Sequence, residues 1–244
     1  MPRSALAVLA LALALTLALL ACHGSADIQR AASPPAAVVA PPVDPAATRA
    51  ADLVEVVALD PSLRLDVRYA TSQNFVGRPV YDQARVFLQR PAAEAVVRAH
   101  RKLAAHGYGL LLFDGYRPWR VTKLFWDVTP PERRAFVADP AEGSRHNRGC
   151  AIDLTLFDLA TRREVEMPSA YDEMSEAAHP GYAGGTPGQR QARDLLRAAL
   201  EAEGFRVLDN EWWHFDFESW REYPILDVPF EALPLPDAGG ATAE

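Results

Sequence analysis

Residues 144–153, which read SRHNRGCAID, place a histidine and an aspartate seven positions apart. His146 lies in a polar segment and is predicted to be exposed, whereas Asp153 lies in an apolar run, AIDLTLF, that predicts a buried strand. On one straight strand these two side chains would face opposite sides, so they converge only if His146 lies in a turn before the strand. Gly149 permits that turn. An aspartate in an apolar strand is costly unless it is compensated, so Asp153 either binds a metal ion or pairs with a nearby arginine.

A second candidate motif, NEWWHFDF, places Glu211 and His214 three positions apart among tryptophan and phenylalanine residues. Strand alternation would put the two side chains on opposite faces, unless a bulge or a turn at Asn210 redirects Glu211. Aromatic residues at this density form either a core or a pocket wall, so His214 alone could equally be a histidine stacked in an aromatic core.

Taken together, the two motifs contain a ligand set. Two histidines and one carboxylate commonly hold a catalytic zinc ion, with the fourth position left for water. A further glutamate that does not bind the metal suits a general base in a zinc hydrolase. The chain has no H-E-x-x-H, G-x-S-x-G or S-x-x-K motif, which argues against a helix-borne zinc protease and the usual serine hydrolases. Ser144 beside His146 has no evident third residue to complete a nucleophilic triad.

A third element, FDGYRPW, places Arg117 directly after a short apolar strand, with Pro118 fixing the following turn. An arginine held there can stabilise negative charge that develops on a tetrahedral intermediate. The alternative is an ordinary surface or ion-paired arginine.

The elements around these motifs predict one α+β domain over residues 51–233, with a mainly antiparallel central sheet flanked by helices. Apolar and β-branched patterns predict strands, and apolar residues at helical spacing predict helices. The predicted strands cover residues 53–59, 63–70, 108–114 and 150–159, with a final strand pair over 205–218. The predicted helices cover residues 90–107, 118–127, 131–137 and 188–204.

The N-terminal residues predict export. Residues 1–21 combine Arg3 with a long apolar run, as in a secretory signal, and the run ends on Leu-Leu-Ala-Cys, as in a bacterial lipoprotein signal. We therefore expect Cys22 to be lipidated and the protein to lie in the periplasm or cell envelope, anchored to a membrane only through that lipid; the alternative is a plain cleaved signal. Residues 22–50 predict an Ala/Pro-rich tether and residues 234–244 a disordered tail.

The amino-acid composition argues against two classes of protein, nucleic-acid-binding proteins and disulfide-stabilised proteins. The net charge of -7 argues against nucleic acid as a partner, since phosphate binding needs a concentrated basic face. There are 2 cysteines, so if Cys22 carries lipid, Cys150 has no intramolecular partner and a disulfide framework is excluded. We expect Cys150 to be a small buried residue.

The motifs FDGYRP, SRHNRGCAIDLTL and EWWHF occur in the order found in one peptidase family. Over residues 53–230 the sequence resembles a zinc D-alanyl-D-alanine dipeptidase of the vancomycin-resistance type, related to the D,D-carboxypeptidases and to the hedgehog N-terminal domain. The family pattern is S-x-H-x-x-G-x-A-x-D followed by E-x-x-H, and residues 144–153 and 211–214 match it without a mismatch.

The resemblance implies a hydrolase with one zinc ion per chain that cleaves the dipeptide D-Ala-D-Ala in cell-wall peptide metabolism. By position, the implied roles are zinc ligands (His146, Asp153, His214), catalytic base (Glu211), transition-state stabilisation (Arg117) and binding of the substrate amino group (Asp172, helped by Ser144). The segment HPGYAGGTPGQ departs from the family and leaves the pocket size open. Two alternatives also stay open: a D,D-carboxypeptidase acting on peptidoglycan stem peptides, and a non-catalytic, zinc-stabilised lipoprotein that binds wall peptides.

Overall fold

The computed structural model describes residues 40–234. Strands and helices alternate along most of this part of the chain. In order they are β1 (Leu53–Glu55), α1 (Val56–Leu59), β2 (Arg64–Leu65), β3 (Phe87–Gln89), α2 (Arg90–Ala104), β4 (Tyr108–Asp114), α3 (Trp119–Val128), β5 (Ala151–Asp158), α4 (Pro187–Glu201), β6 (Phe205–Leu208) and β7 (Glu211–Phe217). Several predictions concern residues outside this range: the signal peptide, the lipidated Cys22, most of the tether and nearly all of the tail.

A five-stranded sheet forms the centre of the fold, in the order β2-β4-β5-β7-β6. The edge strand β2 runs parallel to β4, and the other neighbours are antiparallel. Strands β1 and β3 form a separate antiparallel pair. The predicted α+β class with a mainly antiparallel sheet is therefore confirmed, and the structure adds the strand order.

Strand register brings three polar residues into one row across the middle of the sheet. Asp153 of β5 lies opposite Asp114 of β4 on one side and opposite His214 of β7 on the other. Residues directly opposite each other on neighbouring strands point to the same face. An irregularity in the β4–β5 ladder between Leu112 and Asp114 brings Asp114 into this row. The sheet thus gathers side chains that are far apart in sequence.

The two longest helices support this sheet. Helix α2 begins at a favourable N-terminal proline and is followed by Gly107 at φ +82°, a conformation that ends helices readily in glycine. Helix α4 begins with a capping box in which Thr186 and Gln189 bond reciprocally to each other's backbone. The helices pack against each other, α2 also against β4 and α4 against β6.

Two predicted strands are shorter than their patterns suggested. The prediction for residues 53–59 was correct only for β1, because the chain turns into the short helix α1 from Val56. Of residues 63–70, only two form β2, and Arg68–Ala70 form a 3-10 turn. Leu63, Val67 and Tyr69 are nevertheless buried. The alternation of apolar residues therefore predicted burial correctly. It did not give a full strand, because only two residues of this edge segment pair with β4.

The end of the predicted tether contacts the domain. Arg148, which is buried, donates hydrogen bonds to the Asp44 carboxylate (2.7 Å) and to the Tyr223 carbonyl (2.6 Å). The backbone N–H groups of Thr48 and Arg49 both donate to the Glu222 carbonyl. These contacts hold residues 44–49 beside the 3-10 turn His146–Arg148.

Cys150 is fully buried, as predicted. Burial raises the pKa of its thiol well above the ordinary value. Among residues 40–234, no helix has both the length and the apolar character needed to cross a membrane.

Candidate metal and active site

Three side chains from the predicted ligand set meet at one point. His214 Nδ1 lies 3.0 Å from His146 Nε2 and 3.0 Å from Asp153 Oδ1, and His146 Nε2 lies 3.4 Å from the same aspartate oxygen. Two ligands about 2.1 Å from a tetrahedral ion would lie roughly 3.4 Å apart. The triangle of donor atoms is therefore of the size that a small metal ion requires.

The local backbone explains how the ligands of residues 144–153 converge. His146 lies in the 3-10 turn that precedes β5, and the turn ends at Gly149 with φ +67°. A Cβ atom at Gly149 would lie 2.4 Å from the Leu53 side chain and 3.3 Å from the Gln89 backbone nitrogen, so both conformation and space require glycine. The predicted turn is confirmed. The predicted exposure of His146 is wrong, because the turn points its ring inward and leaves it 2% exposed.

Each histidine has a second partner that fixes its orientation. His146 Nδ1 lies 2.7 Å from the Gly115 carbonyl oxygen, and His214 Nε2 lies 2.9 Å from Asp216 Oδ1. In the neutral form of each ring the proton resides on the nitrogen that contacts this acceptor, so the opposite nitrogen presents a lone pair to the centre. Although burial disfavours its charge, Asp216 and Asp153 raise the pKa of His214 to about 10, so a metal ion has to displace the proton on Nδ1.

The two oxygens of the Asp153 carboxylate have different surroundings. The Tyr171 hydroxyl donates to Oδ2 at 3.0 Å, whereas the buried Oδ1 has, among residues 40–234, only the two histidine ligands beside it. Although burial opposes ionisation, positive charge on protonated His146 and His214 would hold the pKa of Asp153 below its ordinary value. A buried, ionised oxygen without a donor is costly unless a cation lies beside it. The donor set and this unsatisfied oxygen therefore fit a metal ion.

Glu211 lies beside the ligands and not among them. Its Oε2 atom is 3.8 Å from His214 Nδ1. The ladder between β6 and β7 jumps from the Val207–Phe215 pair to the Leu208–Glu211 pair, so that it bypasses residues 212–214. This irregularity overrides strict alternation and allows both Glu211 and His214 to line one pocket. Burial raises the pKa of Glu211 to about 7, which suits proton transfer near neutral pH.

Arg117 is buried at the edge of the same pocket. It donates from Nε and Nη2 to Asp114 Oδ2, at 2.9 and 2.8 Å, and Nη2 lies 3.7 Å from Asp153 Oδ2. Asp114 in turn accepts hydrogen bonds from the Tyr81 hydroxyl and the Gly115 N–H. Burial disfavours the charge of the guanidinium, but Asp114 keeps its pKa above the ordinary value. A fixed, charged donor group therefore faces the pocket.

Asp172 and Ser144, the predicted substrate-binding residues, also line the pocket. Asp172 Oδ1 accepts a hydrogen bond from the Tyr69 hydroxyl at 3.0 Å, whereas the buried Oδ2 has no partner. Burial raises the pKa of Asp172 well above its ordinary value. Ser144 Oγ accepts from the His146 N–H at 3.2 Å. Because both ring nitrogens of His146 have other partners, the structure does not favour Ser144 as a nucleophile.

The pocket is a cavity of about 210 Å³. Its polar lining includes the three candidate ligands, the candidate base Glu211, Arg117 and the two candidate substrate contacts. Arg145 and Glu173 complete the charged part of the lining. Its apolar walls are formed by Tyr69, Phe75, Phe125, Phe136, Val137, Met174, Leu208 and Trp213. None of the described residues 179–189, which read HPGYAGGTPGQ, lines this cavity.

Three supporting residues were missed by the sequence interpretation: Tyr171, Asp216 and Asp114. Asp216 follows His214 by two positions on β7, so its place on the same face was readable from strand alternation. Asp114 lies three positions before Arg117 in a motif already identified. For Tyr171 the sequence gives no such signal, because its loop reaches Asp153 only in the folded chain.

Several known proteins are similar to this chain in sequence. The peptidase M15 family model, described as D-ala-D-ala dipeptidase, matches residues 49–227. A D-alanyl-D-alanine dipeptidase of Escherichia coli (strain K12) is 32% identical over 185 residues, covering 76% of this chain and 94% of that protein. One of Enterococcus faecium is 37% identical over 171 residues, covering 63% and 85%. The solved structure of a vancomycin resistance D,D-dipeptidase in complex with a D-Ala-D-Ala phosphinate analog is 20% identical, with a TM-score of 0.38, over 72% of this chain and 61% of that chain.

Proposed function

This chain belongs to the D-ala-D-ala dipeptidase family of metallopeptidases, and we propose that it hydrolyses D-Ala-D-Ala with one zinc ion held by His146, Asp153 and His214. One observation carries the proposal most strongly. The buried Oδ1 atom of Asp153 faces His146 Nε2 and His214 Nδ1, and the other nitrogen of each ring is held by the Gly115 carbonyl or by Asp216. Beside this cluster lies a glutamate whose pKa is raised to about 7.

A zinc ion bound by these three residues would act as a Lewis acid and lower the pKa of water in its open coordination position. Two imidazoles and one carboxylate, all buried, support zinc over magnesium or calcium, which prefer oxygen ligands.

Glu211 would carry the protons of the reaction. It accepts a proton from the attacking water and then returns a proton to the amine that leaves. Arg117 would donate hydrogen bonds to the negative charge that develops on the peptide carbonyl oxygen, and its double contact with Asp114 holds it in place beforehand. Both groups lie in a largely buried pocket, where such interactions are stronger than in water.

Asp172 would bind the substrate's free amino group. Its unpaired Oδ2 atom and its raised pKa both mark a buried carboxylate that an ammonium group would stabilise. Ser144, which also lines the pocket, would add a neutral hydrogen-bonding group. The cavity of about 210 Å³ supports a small substrate such as a dipeptide.

Steady-state hydrolysis of a small substrate panel tests this proposal. The panel contains D-Ala-D-Ala, L-Ala-L-Ala and N-acetyl-D-Ala-D-Ala, each assayed with and without a chelator. We expect turnover of D-Ala-D-Ala that the chelator abolishes and that added zinc restores. Preference for the N-acetylated substrate would instead indicate a D,D-carboxypeptidase, and normal zinc content without any turnover would indicate the peptide-binding lipoprotein.

We also propose that the enzyme acts outside the cytoplasm, as a lipoprotein anchored through Cys22. This proposal is supported by residues 1–22 of the sequence alone. An exported dipeptidase would act on D-Ala-D-Ala in the cell envelope, which favours wall-peptide recycling or D-alanine scavenging over removal of a cytoplasmic precursor.

A further inference from the structure

We propose that the Phe75 ring is the specificity-determining wall that ends the site at the substrate's amino terminus and excludes N-acylated peptides. The inference rests on the proposed dipeptidase function and identifies the residue that limits the length of its substrate.

Phe75 stands between two cavities. One is the candidate pocket of about 210 Å³, and the other is a surface cavity of about 370 Å³ that Arg68, Gln73 and Asn74 also line. Phe75 and Asp172 line both cavities and so form the wall between them. A substrate whose amino group meets Asp172 therefore points its amino terminus at this wall, and an acyl group on that nitrogen would have to pass through it.

The ring of Phe75 is held firmly in this wall. Its centroid lies 4.9 Å from that of Phe125 and 6.2 Å from that of Tyr69, both in edge-to-face arrangements. Both neighbouring rings are buried, and Tyr69 also donates a hydrogen bond to Asp172. The aromatic wall and the proposed amine receptor are thus one connected unit.

The loop that carries Phe75 is fixed by the residue before it. The Asn74 side-chain amide donates to the backbone carbonyls of Arg68, Thr71 and Arg78. Its carbonyl oxygen accepts from the N–H groups of Val76 and Gly77. Such a network makes an easy outward swing of the loop costly, because several hydrogen bonds would break together.

Steric and electrostatic selection act together at this wall. A free dipeptide offers an ammonium group to the unpaired Asp172 oxygen, whereas an N-acylated one offers an uncharged amide N–H. Removal of the Phe75 ring abolishes only the steric selection against N-acylated substrates. The electrostatic selection stays, because Asp172 is still present. On the far side of the wall, the second cavity of about 370 Å³ is lined in part by Ser72 and Gln73, which can hydrogen-bond to an acyl oxygen.

The test compares kcat/KM for N-acetyl-D-Ala-D-Ala and for D-Ala-D-Ala in the zinc-loaded parent enzyme and in Phe75→Ala. We expect the ratio of the two values to rise at least about tenfold in the variant, the discrimination that a small steric change in a pocket provides. Phe136→Ala is the matched control, because this ring lines the candidate pocket but not the second cavity. Its ratio should stay near that of the parent.

An unchanged ratio in a folded, metal-loaded Phe75→Ala protein would overturn the inference, as would an equal rise in Phe136→Ala. Phe75→Leu keeps more of the loop packing and should give a smaller rise, so it supplies the test if the alanine variant does not fold. Failure of the parent to hydrolyse D-Ala-D-Ala would instead remove the proposed function itself. The two failures are therefore distinguishable.

Discussion

At the scale of single residues, the candidate metal site depends on partners that fix which atom of each ligand faces the centre. The Gly115 carbonyl fixes His146, Asp216 fixes His214, and the Tyr171 hydroxyl occupies the outer oxygen of Asp153. Without these partners the imidazoles could rotate or change tautomer, and the ligand atoms would not be presented together. The motif residues provide the candidate ligand atoms, and their hydrogen-bond partners hold these atoms in position.

Asp216→Asn tests this dependence. The carboxylate accepts the His214 Nε2–H at 2.9 Å, and an amide is a weaker acceptor that can also rotate its NH₂ group toward the ring. We expect zinc affinity to fall by about 10–100-fold, the usual cost of losing a ligand's outer partner. The dissociation constant is measured by competition with a chromophoric chelator. Asp194→Asn, an exposed aspartate on α4, is the control, and an unaltered constant in Asp216→Asn would refute the role.

At the scale of elements, two local departures from regular structure aim the functional side chains. The 3-10 turn His146–Arg148 before β5 directs one histidine inward, and the irregular β6–β7 ladder allows Glu211 to share a pocket with His214. Regular strands would have separated both pairs. The same motifs that carry chemistry therefore also carry the turn residues that make the chemistry possible.

Gly149→Ala tests the first of these departures. Alanine at φ +67° costs about 1–2 kcal/mol, and its Cβ atom would also meet Leu53 and the Gln89 backbone. We expect the free energy of unfolding to fall by at least about 2 kcal/mol and zinc to bind more weakly, because the turn carries His146. Chemical denaturation measures the first effect. Gly181→Ala is the control, since no atom lies within 4 Å of an added Cβ there; equal stability of both variants would contradict this account.

Sequence reasoning identified His146, Asp153, His214 and Glu211 as candidates because these residue types suit a zinc hydrolase, and the family resemblance implied their roles. A glycine before a strand that contains aspartate predicted the turn, and Asn210 before Glu211 predicted an irregular strand start. Sequence reasoning could not predict the register between neighbouring strands of the sheet. The row of Asp114, Asp153 and His214 depends on the strand order β4-β5-β7, which local pattern does not encode. The short helix α1 was missed because its β-branched residues favour a strand, and tertiary packing overrode that preference.

At the scale of the whole molecule, a partly buried polar network links α2 to the sheet. His100 Nδ1 accepts the Leu110 N–H of β4 at 3.0 Å, so its proton resides on Nε2, which faces Ser62 Oγ at 3.0 Å. The Ser62 hydroxyl donates to Asp60, which also binds Arg101. A second proton on His100 would break its bond to the central strand. Although Asp60 opposes the effect, burial lowers the pKa of His100 below 6.5.

This network predicts a pH-dependent stability. Because the folded chain binds the second His100 proton more weakly than the unfolded chain does, acidification from pH 7.5 through the unfolded pKa favours unfolding. The stability that neutral His100 provides is therefore present above that pKa and is lost below it. We expect the stability difference between the parent and His100→Gln to shrink between pH 7.5 and pH 5, as measured by urea denaturation. His106→Gln, exposed just beyond the same helix, is the control; a constant difference would disprove the prediction.

The predicted lipid anchor concerns the whole protein as well. Mass spectrometry of the mature protein from a bacterial host should find an N-terminal Cys22 carrying lipid, and membrane fractionation should find the parent in the membrane. Cys22→Ser should release the domain into the soluble fraction. A mature N-terminus at another residue, or identical fractionation of both proteins, would leave a plain cleaved signal as the better interpretation.

The central claim is that a metal ion on His146, Asp153 and His214 and the carboxylate of Glu211 together hydrolyse D-Ala-D-Ala. The most direct test measures bound zinc and kcat for D-Ala-D-Ala in the same preparations of the parent, Glu211→Gln and His146→Ala. We predict that Glu211→Gln retains one zinc ion per chain while kcat falls at least about a thousandfold, since the proton carrier is gone. His146→Ala should lose the zinc. Full activity in Glu211→Gln, or stoichiometric zinc in His146→Ala, would contradict the account.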